Sequence, residues 1–354
     1  MERRRLGSSG LFVTAIGLGC DNFGLFTNAE DSIRIVHSAL DLGIEYFDAA
    51  DTYGLGVAED WLGKALKGKR QQVIVGSKVG LPWGRSPNKS GVSRLQIMRQ
   101  VDGSLRRLDT DYIDLYHLHV PDALTPIEES LRAMDDLVRQ GKVRYLALSN
   151  HNAWQTCEAV LTAKMLHLND IVACQVYYNL LRRKLERDLT PFCQKYGLGV
   201  VPYFPLEGGM LTGKYRRGDS PASTTRMARM GDFRRLLKDE TFDTVEKLQQ
   251  FCDQRGKPMA QLAIAWLLSQ PQVACVIPGA STPEQLKANA TAAEWRLTLE
   301  ELAEVDKLAP VTDYDGFPIP AGRTPGDPSG TGYITPETAN DYRNLASQSQ
   351  PKPR

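Results

Sequence analysis

Short apolar, β-branched runs alternate along most of the chain with longer stretches in which apolar residues return every three or four positions. The short runs predict strands at AIGLG (15–19), YFDAA (46–50), VIVGSK (73–78), DLYHLH (114–119), YLALSN (145–150), ACQVYYN (173–179), VVPYF (200–204) and VACVIPG (273–279). The amphipathic stretches predict helices at about 29–42, 58–67, 93–107, 127–140, 153–164, 186–196, 258–269 and 283–290. Eight β–α units in series predict an α/β protein built as a (β/α)₈ TIM barrel. An open doubly wound sheet would call for Gly-x-Gly-x-x-Gly after an early strand, and the sequence contains none.

Three pieces stand outside this pattern. LGSSGL (6–11) predicts the turn of an N-terminal β-hairpin closing one barrel end. Two extra helices are expected, near 240–254 and at LTLEELAEVDKL (297–308), the second with Thr298 as a capping residue. After Pro310 the sequence becomes rich in Pro and Gly and poor in aliphatics, which predicts a loop or partly disordered tail. The expected organisation is one barrel domain over 1–309 and a C-terminal tail over 310–354.

Composition narrows the partners. The 43 basic side chains nearly balance the 42 acidic ones, giving no reason to expect nucleic acid or an anionic membrane surface. No run approaches the ~20 apolar residues needed to span a bilayer, and MERRRLGSSGLFV does not read as a secretory signal. The six cysteines are scattered without a Cys-x-x-Cys pair, as expected for free buried thiols in a reducing, cytoplasmic setting. Nothing here separates a monomer from a homo-oligomer.

The chemistry lies at the ends of the predicted strands, where barrels of this type gather catalytic residues. The second strand reaches Asp48 and runs on to Asp51 and Tyr53; the third ends in Lys78 and the fourth in His119. The fifth ends in Ser149 and Asn150, the sixth carries Gln175, the seventh reaches Tyr203 and the eighth Gly279. Each alone has a structural explanation: a lysine can snorkel, a histidine can be a bonded core group, and Ser-Asn can cap a helix. Together at one barrel mouth they suggest a proton donor of adjustable acidity. A free tyrosine, with a pKa near 10, is a poor acid at neutral pH; a neighbouring ammonium favours its phenolate, and a carboxylate holds the lysine. Such a group suits reduction of a carbonyl, whose developing alkoxide needs a proton.

The segments GLGCDNFG (17–24), FDAADTYG (47–54), GSK (76–78), DLYHLHVPD (114–122), KVRYLALSNH (142–151), CQVYYNLLRR (174–183), VVPYFPLEGGMLTGKY (200–215) and IPGASTPEQL (277–286) resemble, in order, the aldo-keto reductase superfamily. The resemblance covers residues 4 to 309 and extends to bacterial-type members and potassium-channel β-subunit-like members. It implies an NADP-dependent alcohol oxidoreductase acting on a small-molecule aldehyde, ketone or alcohol by hydride transfer, with NADPH/NADP⁺ as cofactor and NADH as the other candidate. By position it makes Tyr53 the general acid, Lys78 its activator, Asp48 the partner of Lys78, and His119, rather than His117, the group orienting the carbonyl. It places Ser149, Asn150 and Gln175 at the carboxamide and Tyr203 against the nicotinamide. Leu206, Gly208 and Lys214 fall in the pyrophosphate loop, and Gly279, Ser281, Gln285 and Asn289 around the adenosine phosphate. Phe23 and Trp83 are expected at the substrate mouth, and Asp51 as a loop cap. Phe204, Val120 and Ser281 depart from common family patterns.

Two other readings fit parts of the same sequence. His117-x-His119, with His151, could be metal ligands of a barrel hydrolase, although Lys78 at the mouth would compete for carboxylates; no metal is expected. A cofactor-binding regulatory subunit with little turnover is the second.

Overall fold

The computed structural model describes residues 1–84 and 86–312. The chain opens with an antiparallel hairpin, β1 (Arg3–Arg5) and β2 (Phe12–Thr14), turned through the expected 6–11 segment. Seven parallel strands follow: β3 (Leu18–Gly19), β4 (Tyr46–Asp48), β5 (Ile74–Val79), β6 (Ile113–Leu118), β7 (Val143–Ser149), β8 (Ile171–Tyr177) and β9 (Gly199–Tyr203), hydrogen-bonded in sequence order. Helices pack outside them, so strands such as β6 are buried along their whole length.

The eighth expected strand, 273–279, takes its place without becoming a regular strand. It meets β9 at Val200↔Val273 and Tyr203↔Ile277, and the first strand at Ile16↔Val276 and Gly19↔Gly279, through single bridges. Proline and glycine explain this: Pro278 has no N–H to give a ladder, and Gly17 lets backbones crowd. A Cβ on Gly17 would lie 2.8 Å from Cδ1 of Tyr46 and 3.0 Å from Cγ2 of Ile277. The sheet is therefore a nearly closed barrel sealed by an irregular segment.

The hairpin plugs the barrel floor. Leu6 and Val13 pack against the inward-facing Leu115, Ala147, Val172, Val201 and Cys275, and Ser8 N–H bonds the Gly197 carbonyl at 2.7 Å, just before β9. The extra helices are present as Asp239–Asp253 and Leu299–Leu308, and Thr298 and Glu301 cap the latter reciprocally. The expected 186–196 helix is divided into a 3₁₀ turn, Lys184–Arg187, and a helix, Leu189–Tyr196. The tail beyond Thr312 lies outside the described residues. No helix among the described residues is long and apolar enough to cross a membrane. Five of the cysteines are buried, and all six are free thiols.

Candidate active site

The alternation of β5 sends Lys78 into the barrel, where its side chain is fully buried. Its ammonium donates to Asp48 Oδ2 at 2.6 Å, to the Ala49 carbonyl at 2.7 Å and to the Tyr53 hydroxyl oxygen at 3.1 Å. Three acceptors match its three N–H donors, which offsets a desolvation cost otherwise worth several kcal/mol. Asp48, the last residue of β4, is fixed from its other oxygen: Oδ1 accepts from Gln175 Nε2 at 2.7 Å and from the Tyr46 hydroxyl at 3.3 Å. Gln175 thus steadies the carboxylate, and Tyr46 is a member of the group that the strand pattern alone presents as core.

Tyr53 opens a tight turn, Tyr53–Gly56, in which Gly54, Leu55 and Gly56 have φ of 56°, 59° and 93°. Gly54 is needed there, since a Cβ would lie 2.5 Å from the Phe23 carbonyl oxygen. The turn folds the phenol back so that the Lys78 ammonium lies 4.6 Å from the ring centroid. His119, just beyond β6, stands edge-on to Tyr53 with ring centroids 5.9 Å apart. Burial, with the charge of Lys78 and the neighbouring His117, holds the His119 imidazole well below its usual range, so it is neutral. Its Nδ1 is buried without a hydrogen-bond partner.

His117 lies deeper and donates Nδ1–H to the Ser77 carbonyl at 3.1 Å; burial, foremost, lowers it to about 4. His151 donates likewise to the Ser149 carbonyl at 2.8 Å, and burial lowers it also to about 4. Among the described residues no three His, Cys, Asp or Glu side chains gather as a metal-holding group. These two depressed histidines set an acid limit. An unfolded histidine takes up a proton near pH 6.5, whereas the folded ones resist it until about pH 4. Their stabilising contribution is complete above about pH 6.5 and is lost as the pH falls towards 4. Urea unfolding at about pH 7 and about pH 4.5 should differ by more than ~1 kcal/mol, and His151→Leu should reduce that difference.

Beside this group, the ends of β7, β8 and β9 bring together Ser149, Asn150, Gln175 and Tyr203. Asn150 has φ 61°, a left-handed conformation that asparagine tolerates. Its Nδ2 donates to the His119 carbonyl at 2.9 Å and to Ser149 Oγ at 3.2 Å, and its Oδ1 accepts from the Tyr203 hydroxyl at 2.6 Å. Beyond β9 the backbone coils through residues of positive φ: Phe204, Glu207, Gly208, Gly209 and Gly213. Leu206 is half-buried within this coil, and Lys214 folds over Gly209, where a Cβ would lie 2.6 Å from Nζ. The coil rests on a buried polar base absent from the sequence reading: Glu207 accepts from Arg182 Nε at 3.2 Å and from the Asn179 amide.

At the far side, Gln285 Oε1 accepts from the Ser281 N–H at 2.9 Å, and Thr282 caps the helix Pro283–Thr291. Asn289 Nδ2 reaches the Gly279 carbonyl at 3.4 Å. Arg226, which opens the short helix Arg226–Arg229 after β9, also arrives here. It pairs with Asp21 at 3.0 Å, bonds Asn22 Oδ1, and lies over Phe26 and Phe204; Asn22 in turn donates to Ser281 Oγ at 3.4 Å. No local signal marked Arg226, which lies 204 residues from Asn22 in the chain. At the expected substrate side, Trp83 gives its indole N–H to Asp51 Oδ2 at 3.0 Å, so Asp51 is a buried anchor rather than a simple loop cap. Phe23 is fully enclosed and packs in the core instead of lining an opening.

Residues 15–310 match the family model described as the Aldo/keto reductase family. The chain is 38% identical over 299 residues to a probable voltage-gated potassium channel subunit beta of Oryza sativa subsp. japonica, covering 82% of this chain and 90% of the relative. It is 36% identical over 337 residues to the uncharacterized oxidoreductase YrpG of Bacillus subtilis, covering 92% and 98%. It is 34% identical over 321 residues to an L-glyceraldehyde 3-phosphate reductase of Escherichia coli strain K12, covering 87% and 92%. With similarity spread over nearly the whole barrel and its strand ends, the chain belongs to the aldo/keto reductase family of oxidoreductases.

Proposed function

We propose that the protein interconverts an aldehyde or ketone and the corresponding alcohol with NADPH/NADP⁺, using Tyr53 as general acid and base. The observation that carries this reading is the sealed Lys78 ammonium, 3.1 Å from the Tyr53 oxygen and locked to Asp48. Lys78 donates its N–H to the phenol oxygen, so towards a substrate oxygen the phenol acts as donor of its own proton. Once that proton has moved, the adjacent ammonium stabilises the phenolate. Asp48, held by Gln175 and Tyr46, keeps the ammonium in register. A neutral His119 adds no second cation beside Lys78 and can offer an N–H to the carbonyl oxygen. The expected result is carbonyl-dependent loss of NADPH absorbance across an aldehyde and ketone panel. A tight NADPH complex that turns over none of them would favour the regulatory-subunit role instead.

The residues present suit an extended dinucleotide. Hydroxyl and amide groups of Ser149 and Asn150 and the Tyr203 ring stand at one end. The glycine-rich coil with Lys214 follows, and the capped helix start at Ser281 and Thr282 stands at the other. Lys214 places a cation over the coil, and helix N-termini favour anions. Bound along this strip, a reduced nicotinamide supplies the hydride.

NADPH should bind more tightly than NADH by about 1–2 kcal/mol, a factor of roughly 5 to 30. The GASTPEQ stretch has no cation, which limits the preference, because charge-assisted hydrogen bonds are about twice as strong as neutral ones. Support for the phosphate comes from the helix start and from Arg226, linked to Ser281 through Asn22. Ser281→Arg should widen the gap. Fluorescence titration with both reduced cofactors measures it, and tighter NADH binding would reverse the assignment.

A further inference from the structure

We propose that Asp51, acting through the Trp83 indole, is a positioning residue that holds the Tyr53 turn against Lys78; the proposal rests on Tyr53 being the proton donor. The turn needs external support. Gly54, Leu55 and Gly56 are consecutive left-handed residues, and Leu55, unlike the glycines, carries the steric penalty of a Cβ in that conformation. Leu55 is 52% exposed, so its own packing can offset only part of that penalty.

The support comes from the other side. The Trp83 ring reaches the end of the turn, where a Cβ on Gly56 would lie 3.2 Å from its Cη2 atom. Two groups fix the ring. Asp51 Oδ2, two residues before Tyr53, accepts its N–H at 3.0 Å, and the Arg107 guanidinium lies 5.2 Å from its centroid. Arg107 is itself anchored, with Nε donating to the buried Glu59 at 2.7 Å, and Glu59 accepts from Ser77 Oγ at 2.5 Å. Ser77 precedes Lys78. The contacts thus run from the residue before Lys78 through Glu59, Arg107 and Trp83 to the residue two before Tyr53, and the donor and its activator rest on one frame.

Asp51 is fully buried, and its Oδ1 meets no partner. Burial first, and then the Glu59 charge, push its carboxyl up to about 8. A buried acid kept at such a desolvation cost beside the catalytic turn points to placement of a neighbour rather than to stability.

The test uses the full chain. Asp51→Leu and Trp83→Phe should each lower kcat by about 10- to 100-fold, since a 1 Å misplacement can cost that much. The carbonyl KM and the NADPH Kd should stay within about twofold, because the effect is confined to placing the proton donor. The alkaline limb of the pH–rate profile should move up by about one unit as the phenol leaves its ammonium. Asp51→Asn, which keeps an oxygen for the indole N–H, should restore activity, and the double variant should be no worse than the poorer single one. Backbone N–H exchange over residues 53–57 should rise in both damaging variants, with or without turnover. Unchanged kcat in Trp83→Phe overturns the proposal. So does a loss confined to KM, which would make Trp83 a substrate wall, or an asparagine variant as poor as leucine. If Asp51→Leu does not fold, Trp83→Phe carries the same comparison. Absence of carbonyl reduction in the unmodified protein would sink the reductase reading, while the exchange measurement would still decide whether Asp51 and Trp83 hold the turn.

Discussion

Tyr53→Phe is expected to lower kcat by about 10²- to 10⁴-fold, the usual contribution of a positioned general acid. The substitution removes one oxygen and leaves the ring where it packs against His119. The groups of the proposed cofactor strip, Ser149, Asn150 and Tyr203, are bonded among themselves and to the His119 backbone. The NADPH Kd should therefore change by less than about twofold, since uniform binding is untouched. Lys78 would lose one of three acceptors and keep Asp48 and the Ala49 carbonyl, so the fold should survive. Steady-state kinetics with a fluorescence titration separates the two quantities. Retention of even a tenth of the original kcat would remove Tyr53 from the role of proton donor.

The second large effect is on stability and activity together. Asp48→Ala would strand a fully buried ammonium with only a carbonyl and a phenol oxygen as partners. Breaking one side of a buried pair commonly costs about 3–5 kcal/mol, because the remaining charge keeps its desolvation penalty. Urea unfolding should show that loss, and turnover should collapse with it. Adding Lys78→Met removes the stranded charge, so much of the stability should return while activity stays absent. A double variant no more stable than Asp48→Ala would mean that the Asp48 carboxylate supports Gln175 and Tyr46 more than it supports Lys78.

Much of this molecule could be read locally. Strands and helices follow from period-two and period-3.6 patterns that each segment carries by itself, and Thr298 with Glu301 announces its capping box within four residues. The residues at the strand ends were legible for the same reason: a polar group closing an apolar run, repeated strand after strand, marks one mouth. The choice of His119 over His117 rested on its place nearer the strand's carboxyl end and on the family spacing; in the structure its ring lies edge-on to Tyr53.

Tertiary structure decided what depends on approach between distant segments. The 273–279 run looked like a strand because its residues are apolar and β-branched; Pro278 and crowding around Gly17 reduce it to bridges. Phe23 looked like a mouth residue from its place after a strand, yet the turn at Gly54 closes over it. Gln175 became a support of Asp48 only when the barrel brought β8 to face β4. Arg226 reached Asp21 and Asn22, and Trp83 reached Asp51, through loops whose paths no local periodicity encodes. The sequence alone determined which groups the protein possesses and the barrel end at which they gather, because alternation and helical period are short-range. Which of them touch was left to the packed barrel, because hydrogen-bond partners are chosen by distance in space, across separations such as the 127 residues from Asp48 to Gln175.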